Sequence, residues 1–169
     1  LVVRETPANQ KTVAAVLEAI DVAVAPSPDV LLTLWIVRAT ASAGASDERI
    51  PEALRTELPR LLPYPRFEVL GVALLRTQVG DESASLEMDL EKGGLAQVEL
   101  RVGPYDASRQ VLELAGCKFG CRILEAEAQR EVEFRTTAAT LREGEFTVLG
   151  AVGQEPVLLV VQPRIESGR

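Results

Sequence analysis

Cys117 and Cys121, in the stretch Cys-Lys-Phe-Gly-Cys, are the residues whose type and spacing come nearest to chemistry. Two thiolates supply half of a tetrahedral zinc site, and a second pair or two histidines must complete it. The chain has 2 cysteines and no histidine, so neither completion is available. A redox pair usually places two residues between its cysteines at a helix N-terminus, whereas three intervene here inside strand-like sequence. On one straight strand, positions four apart lie about 13 Å from each other, beyond the reach of a disulfide. If residues 118–120 form a turn, the sulfurs can meet. Two alternatives stay open: a local disulfide between Cys117 and Cys121, or two buried free thiols.

The absence of histidine also removes Ser-His-Asp and Cys-His nucleophiles and His-ligated metals. Carboxylates remain, as Asp81 with Glu82, Glu87 with Asp89, and Glu125 with Glu127. In a strand the last two pairs each share a face, but two carboxylates do not make the ring of six to eight oxygens that calcium requires. The stretch Glu-Lys-Gly-Gly-Leu-Ala-Gln at 91–97 lacks the glycine spacing and the Lys-Ser/Thr ending of a phosphate loop. No catalytic, cofactor-binding or metal-ligating residue is nominated, and the expectation is a protein that is not an enzyme and takes no cofactor. With 25 acidic and 18 basic residues the net charge is -7, which disfavours a nucleic-acid surface because no cation excess displaces counterions. No apolar run reaches the eighteen residues of a membrane-spanning helix.

The elements that would position these side chains are legible from hydrophobic period. Thr6 and Pro7 open a stretch in which Val13, Val16, Leu17 and Ile20 recur at helical spacing, predicting a first helix. Val22 and Val24 suggest a brief strand before Pro26 and Pro28. The run Asp29–Thr40 is apolar in both alternating phases, which predicts a strand buried in a sheet covered on both sides, with Trp35 in its core. Ile50, Leu54, Leu58 and Leu61 form a second helical stripe, starting near Pro51 and ending before the prolines around Tyr64. From Arg66 onward the period is two, with Phe67, Val69 and Leu75 expected in one phase. Ala84, Leu86, Met88 and Leu90 alternate with Ser85, Glu87, Asp89 and Glu91; beyond Gly93-Gly94, Val98, Leu100 and Val102 alternate with Gln97, Glu99 and Arg101. That is a hairpin with one wet face. Gly103–Asp106 is expected to turn the chain, as are residues 142–145 and 153–156. The sum is an α+β fold: two short N-terminal helices packed on a mainly antiparallel β-sheet or β-sandwich, with residues 1–25 as helix and linker and 26–169 as the β-rich domain.

Two stretches resemble a known family. Ile20-Asp21, then Pro28, Val30, Leu31, Ile36 and Val37, are similar to the point in bacterial outer-membrane secretins where a helix ends and the first core strand begins. Thr137, Thr140, Glu143, Gly144, Thr147, Val148, Leu149 and Gly150, followed by Leu159, Val160, Pro163, Arg164 and Ile165, resemble the closing strands of the secretin core. The long middle of that family, with its transmembrane strands and glycine-rich gate, has no counterpart here. The resemblance therefore implies a compact, noncatalytic component of the cell envelope, periplasmic or outer-membrane associated. Its expected partners are envelope or secretion-system proteins, including those of pilus systems, or a second copy. Glu87, Asp89, Glu99 and Arg101 on the wet hairpin face, with Arg142 and Glu145 at the turn, are the candidate interface. The competing class is a carbohydrate- or lipid-binding β module, which would need a concave pocket near Trp35, Tyr64 or Tyr105.

Overall fold

The computed structural model describes residues 27–80, 83–125 and 128–166. Nine strands and one helix follow in the order β1 (Asp29–Thr40), α1 (Glu52–Leu61), β2 (Arg66–Gln78), β3 (Ala84–Asp89), β4 (Gly94–Asp106), β5 (Val111–Glu125), β6 (Ala128–Thr136), β7 (Ala139–Arg142), β8 (Thr147–Val152) and β9 (Val157–Glu166). They form two antiparallel sheets. Sheet I runs β2-β1-β9-β8, and sheet II runs β3-β4-β5-β6 with β7 continuing along the β5 edge beside β6.

The expected α+β arrangement with two N-terminal helices is corrected by this architecture. The described residues are mostly strand, and their one helix is a ten-residue insert between β1 and β2. The helix expected over 7–20 and the brief strand at 22–24 lie outside the described residues. The physical reason is the nature of the cover. One phase of β1 is buried under a second sheet, and the other is buried under α1 at Trp35, Val37 and Ala39 but only half-buried at Leu31 and Thr33. Leu32, Leu34 and Ile36 of β1 and Leu159 and Val161 of β9 pack against Leu100, Leu112, Phe119 and Ile123 of sheet II. Trp35, Val37, Leu158 and Val160 point the opposite way, onto Leu54 and Leu58 of α1. β1 lies inside its sheet between β2 and β9, and β8 pairs with β9 as the closing hairpin.

Local departures from strict alternation explain two further corrections. Phe67 and Val69 face α1, while Leu75 faces sheet II, because a bulge opposite Ile36 and Val37 shifts the register of β2 between them. Gly103–Asp106 does not turn the chain: β4 continues to Asp106, which pairs with Val111, and irregular pairing between Arg101 and Tyr105 absorbs Gly103 and Pro104. The turn falls at 107–110, where the Asp106 carboxylate accepts from the backbone N–H of Ser108 at 2.9 Å and of Arg109 at 3.2 Å.

Candidate functional site

Alternation in β3, in β4 up to Val102, in β5 from Cys117 onward and in β6 sends one phase into the core and leaves the other on an exposed, polar outer face of sheet II. Register brings Glu87, Gln97, Gly120 and Glu133 into one row across four strands, with Ser85, Glu99, Lys118 and Arg135 in the next. The Gln97 amide donates to the Glu87 carboxylate at 2.6 Å, and Arg135 donates to Glu133 at 3.2 Å. Gly120 contributes no side chain, so the first row holds a furrow of about 310 Å³ whose charged lining is Glu87, Glu99, Glu131, Glu133 and Lys118. Four carboxylates against one ammonium make it acidic. Glu87, Asp89, Glu99 and Arg101 are all exposed on this face.

Arg142 and Glu145 are exposed elsewhere. Arg142 ends β7, paired to Val111 at the far end of β5, and its carbonyl accepts the Glu145 N–H at 3.1 Å to close the turn into β8. Glu145 there lines a cleft of about 560 Å³ between α1 and the start of β8, floored by Ala53, Leu54, Phe146 and Val148. Leu61, 60% exposed, stands at its lip. Four of the six interface candidates thus share the hairpin part of the sheet II face, while Arg142 ends β7 at the far end of that sheet and Glu145 lines the cleft.

Cys117 and Cys121 are buried free thiols on β5. Strand pairing runs unbroken through residues 117–121 on both sides, so the turn that a local disulfide requires is absent. Burial pushes both thiols up to about 11, away from the thiolate form that nucleophiles and metal ligands use. Asp81, Glu82 and Glu127 lie outside the described residues. Among the described residues no group of three or more Cys, Asp or Glu is placed to hold a metal. Trp35 is 7% exposed under α1 and meets Phe146 edge-on, with ring centroids 5.3 Å apart. The Tyr64 hydroxyl donates to the Gln154 carbonyl, and the Tyr105 hydroxyl donates to Glu143 at 2.7 Å.

One cluster escaped sequence reasoning. Buried Glu68 accepts from Arg38 of β1 at 2.7 Å and from Lys92 of the β3–β4 turn at 2.8 Å, and pairs with Arg66 at 2.7 Å. Hydrogen bonding from Lys92, then from Arg38, holds its carboxyl down to about 2. It ties the two sheets together at one end. The available signal was an Arg and a Glu inside otherwise apolar strands, which β1–β2 register places directly opposite each other. Beside it Asp47 is held below the usual carboxylate range by the Arg49 guanidinium, which also reaches Glu91.

No protein-family model matches the chain, and no curated protein matches it. The similar solved structures include two from Salmonella. One is the Salmonella SPI-1 type III secretion injectisome secretin InvG, at 12% identity and a TM-score of 0.47, covering 98% of this chain and 71% of that one. The other holds the Salmonella SPI-1 injectisome basal body proteins InvG, PrgH and PrgK, with the same identity and score over 98% of this chain and 51% of that one. The likeness to a bacterial secretin is weak, and at this score it transfers neither fold nor function.

Proposed function

We propose that this chain is a noncatalytic, β-rich binding module of the cell envelope that engages a secretion- or pilus-system protein through the outer face of sheet II. The observation that carries it is the convergence of Glu87, Asp89, Glu99 and Arg101 on one exposed face, around an acidic furrow. These side chains stand on paired strands, so a partner would meet a surface already ordered before contact, at little cost in conformational entropy. The acidic furrow favours a basic partner surface, and such complementarity acts mainly on encounter rate and specificity. The envelope setting rests on the stretches around Ile20–Val37 and Thr137–Ile165 that resemble secretins.

The test is the double reversal Glu87→Lys with Asp89→Lys. Both side chains are exposed, so the fold should keep its thermal midpoint within a few degrees. Pull-down from an envelope fraction, with sedimentation to follow self-association, should show weakened capture. Capture equal to the parent protein's sinks the interface assignment, and a purely cytosolic product on cell fractionation sinks the envelope setting.

A further inference from the structure

β8 ends sheet I, and its outer edge is treated differently along its length. Toward the C-terminal end, sheet II blunts it. The Thr136 hydroxyl donates to the Leu149 carbonyl at 3.1 Å, Arg130 donates to the Val152 carbonyl at 3.5 Å, and the Phe134 ring lies over Gly150. Covering edges in this way prevents unwanted pairing. At residues 147 and 148 no hydrogen bond to the outer edge exists among the described residues, one of the two turns its backbone groups outward, and both line the α1 cleft. The cleft floor is apolar, Leu61 is exposed at the lip, and the charged lining residues are Glu57, which Arg60 of the same helix pairs at 2.5 Å, and Glu145.

We propose that this cleft is a second binding site, which takes an extended apolar segment of another protein flanked by lysine or arginine, added as a fifth strand to sheet I beside Thr147 and Val148. The open edge supplies backbone hydrogen bonds, as in other strand-addition complexes, and alternate side chains of the incoming strand enter the cleft. Glu145 selects the charge of the flanks, since Glu57 is already paired with Arg60, and the chain's net charge of -7 favours the same sign of partner at long range. The site is separate from the outer face of sheet II.

The probe is an end-blocked peptide, Lys-Val-Thr-Val-Thr-Val-Lys, titrated onto the whole chain by fluorescence anisotropy beside two controls. Glu-Val-Thr-Val-Thr-Val-Glu keeps the strand and reverses the flanks; Lys-Val-Pro-Val-Pro-Val-Lys keeps the charge and removes the pairing N–H groups. The basic strand should bind at least about tenfold more tightly than either control. Glu145→Lys should shrink its advantage over the acidic peptide, and Leu61→Asn should weaken both strands. Glu87→Lys with Asp89→Lys should leave peptide binding unchanged, so this site and the sheet II face can fail separately. Equal binding of all three peptides, unaltered charge preference in Glu145→Lys, or self-association that the basic peptide competes away each overturns the proposal, the last by giving the cleft to a second copy.

Discussion

Sheet I and sheet II are both antiparallel, yet they are built on opposite rules. β1 and β9 carry apolar side chains in both phases, because α1 lies on one face of their sheet and sheet II on the other. β3, β4 and β6 alternate, because their sheet has a core on one side and water on the other. The contrast separates two jobs. Sheet I is held by packing from both sides and offers partners little but its strand edges, whereas sheet II can change its outer face with little effect on the fold. Evolution and mutagenesis should meet very different resistance on the two.

The sharpest test of that contrast is Trp35→Ala. Trp35 fills the layer between sheet I and α1, against Phe146. Removing a large buried aromatic costs about 3–5 kcal/mol, so the urea midpoint followed by circular dichroism should fall steeply. A loss below about 0.5 kcal/mol, the range of exposed substitutions, would mean that the α1 layer contributes little and that sheet I is held by sheet II alone.

How much of this was legible from sequence follows the same division. The two-phase β1, the helical stripe over 50–61, the 84–102 hairpin and the closing pair of strands all appear in the structure, since each depends on local period and turn chemistry. What covers β1 was not legible: an apolar phase demands a cover without saying whether a helix or a sheet provides it. Register was equally hidden, which is why the β2 bulge separates Phe67 and Val69 from Leu75. The shared polar face of Glu87, Asp89, Glu99 and Arg101 could be read from alternation. The furrow could not, because it needs Gly120 of β5 and Glu133 of β6 to fall in the row of Glu87. The cleft is more distant still, joining α1 to β8 through the order of strands in sheet I.

Glu68 tests the tie between the sheets. Its folded value of about 2 lies below the ordinary 4.5, so its stabilisation is complete above pH 4.5 and is lost as pH falls from there toward 2. At about 1.4 kcal/mol per unit, and discounting because Lys92 stands half in water, the contribution is about 2 kcal/mol. Urea midpoints measured from pH 6 down to 2 should fall faster for the parent protein than for Glu68→Gln. Parallel curves would remove Glu68 from the acid sensitivity and leave packing alone to join the sheets.

Two glycines bring the comparison to its smallest scale. On β8 of sheet I, a Cβ at Gly150 would meet Phe134 ring atoms at 2.6–2.8 Å. That ring is itself packed on Phe119, with centroids 5.1 Å apart, so it cannot withdraw freely. Gly150→Ala should therefore cost about 1–3 kcal/mol through overpacking. On β5 of sheet II, nothing lies within 4 Å of a Cβ built at Gly120, and its backbone is not left-handed. Gly120→Ala should be neutral or stabilising by up to about 1 kcal/mol, because the unfolded chain loses freedom and the strand gains a side chain. The larger Gly120→Leu should also fold, since its side chain enters the furrow between Gln97 and Glu133. If the furrow receives a partner, that variant keeps its urea midpoint and loses capture. A destabilised Gly120→Ala would show that the outer face of sheet II is tighter than its open register implies, and the division between the two sheets would fail at its most permissive point.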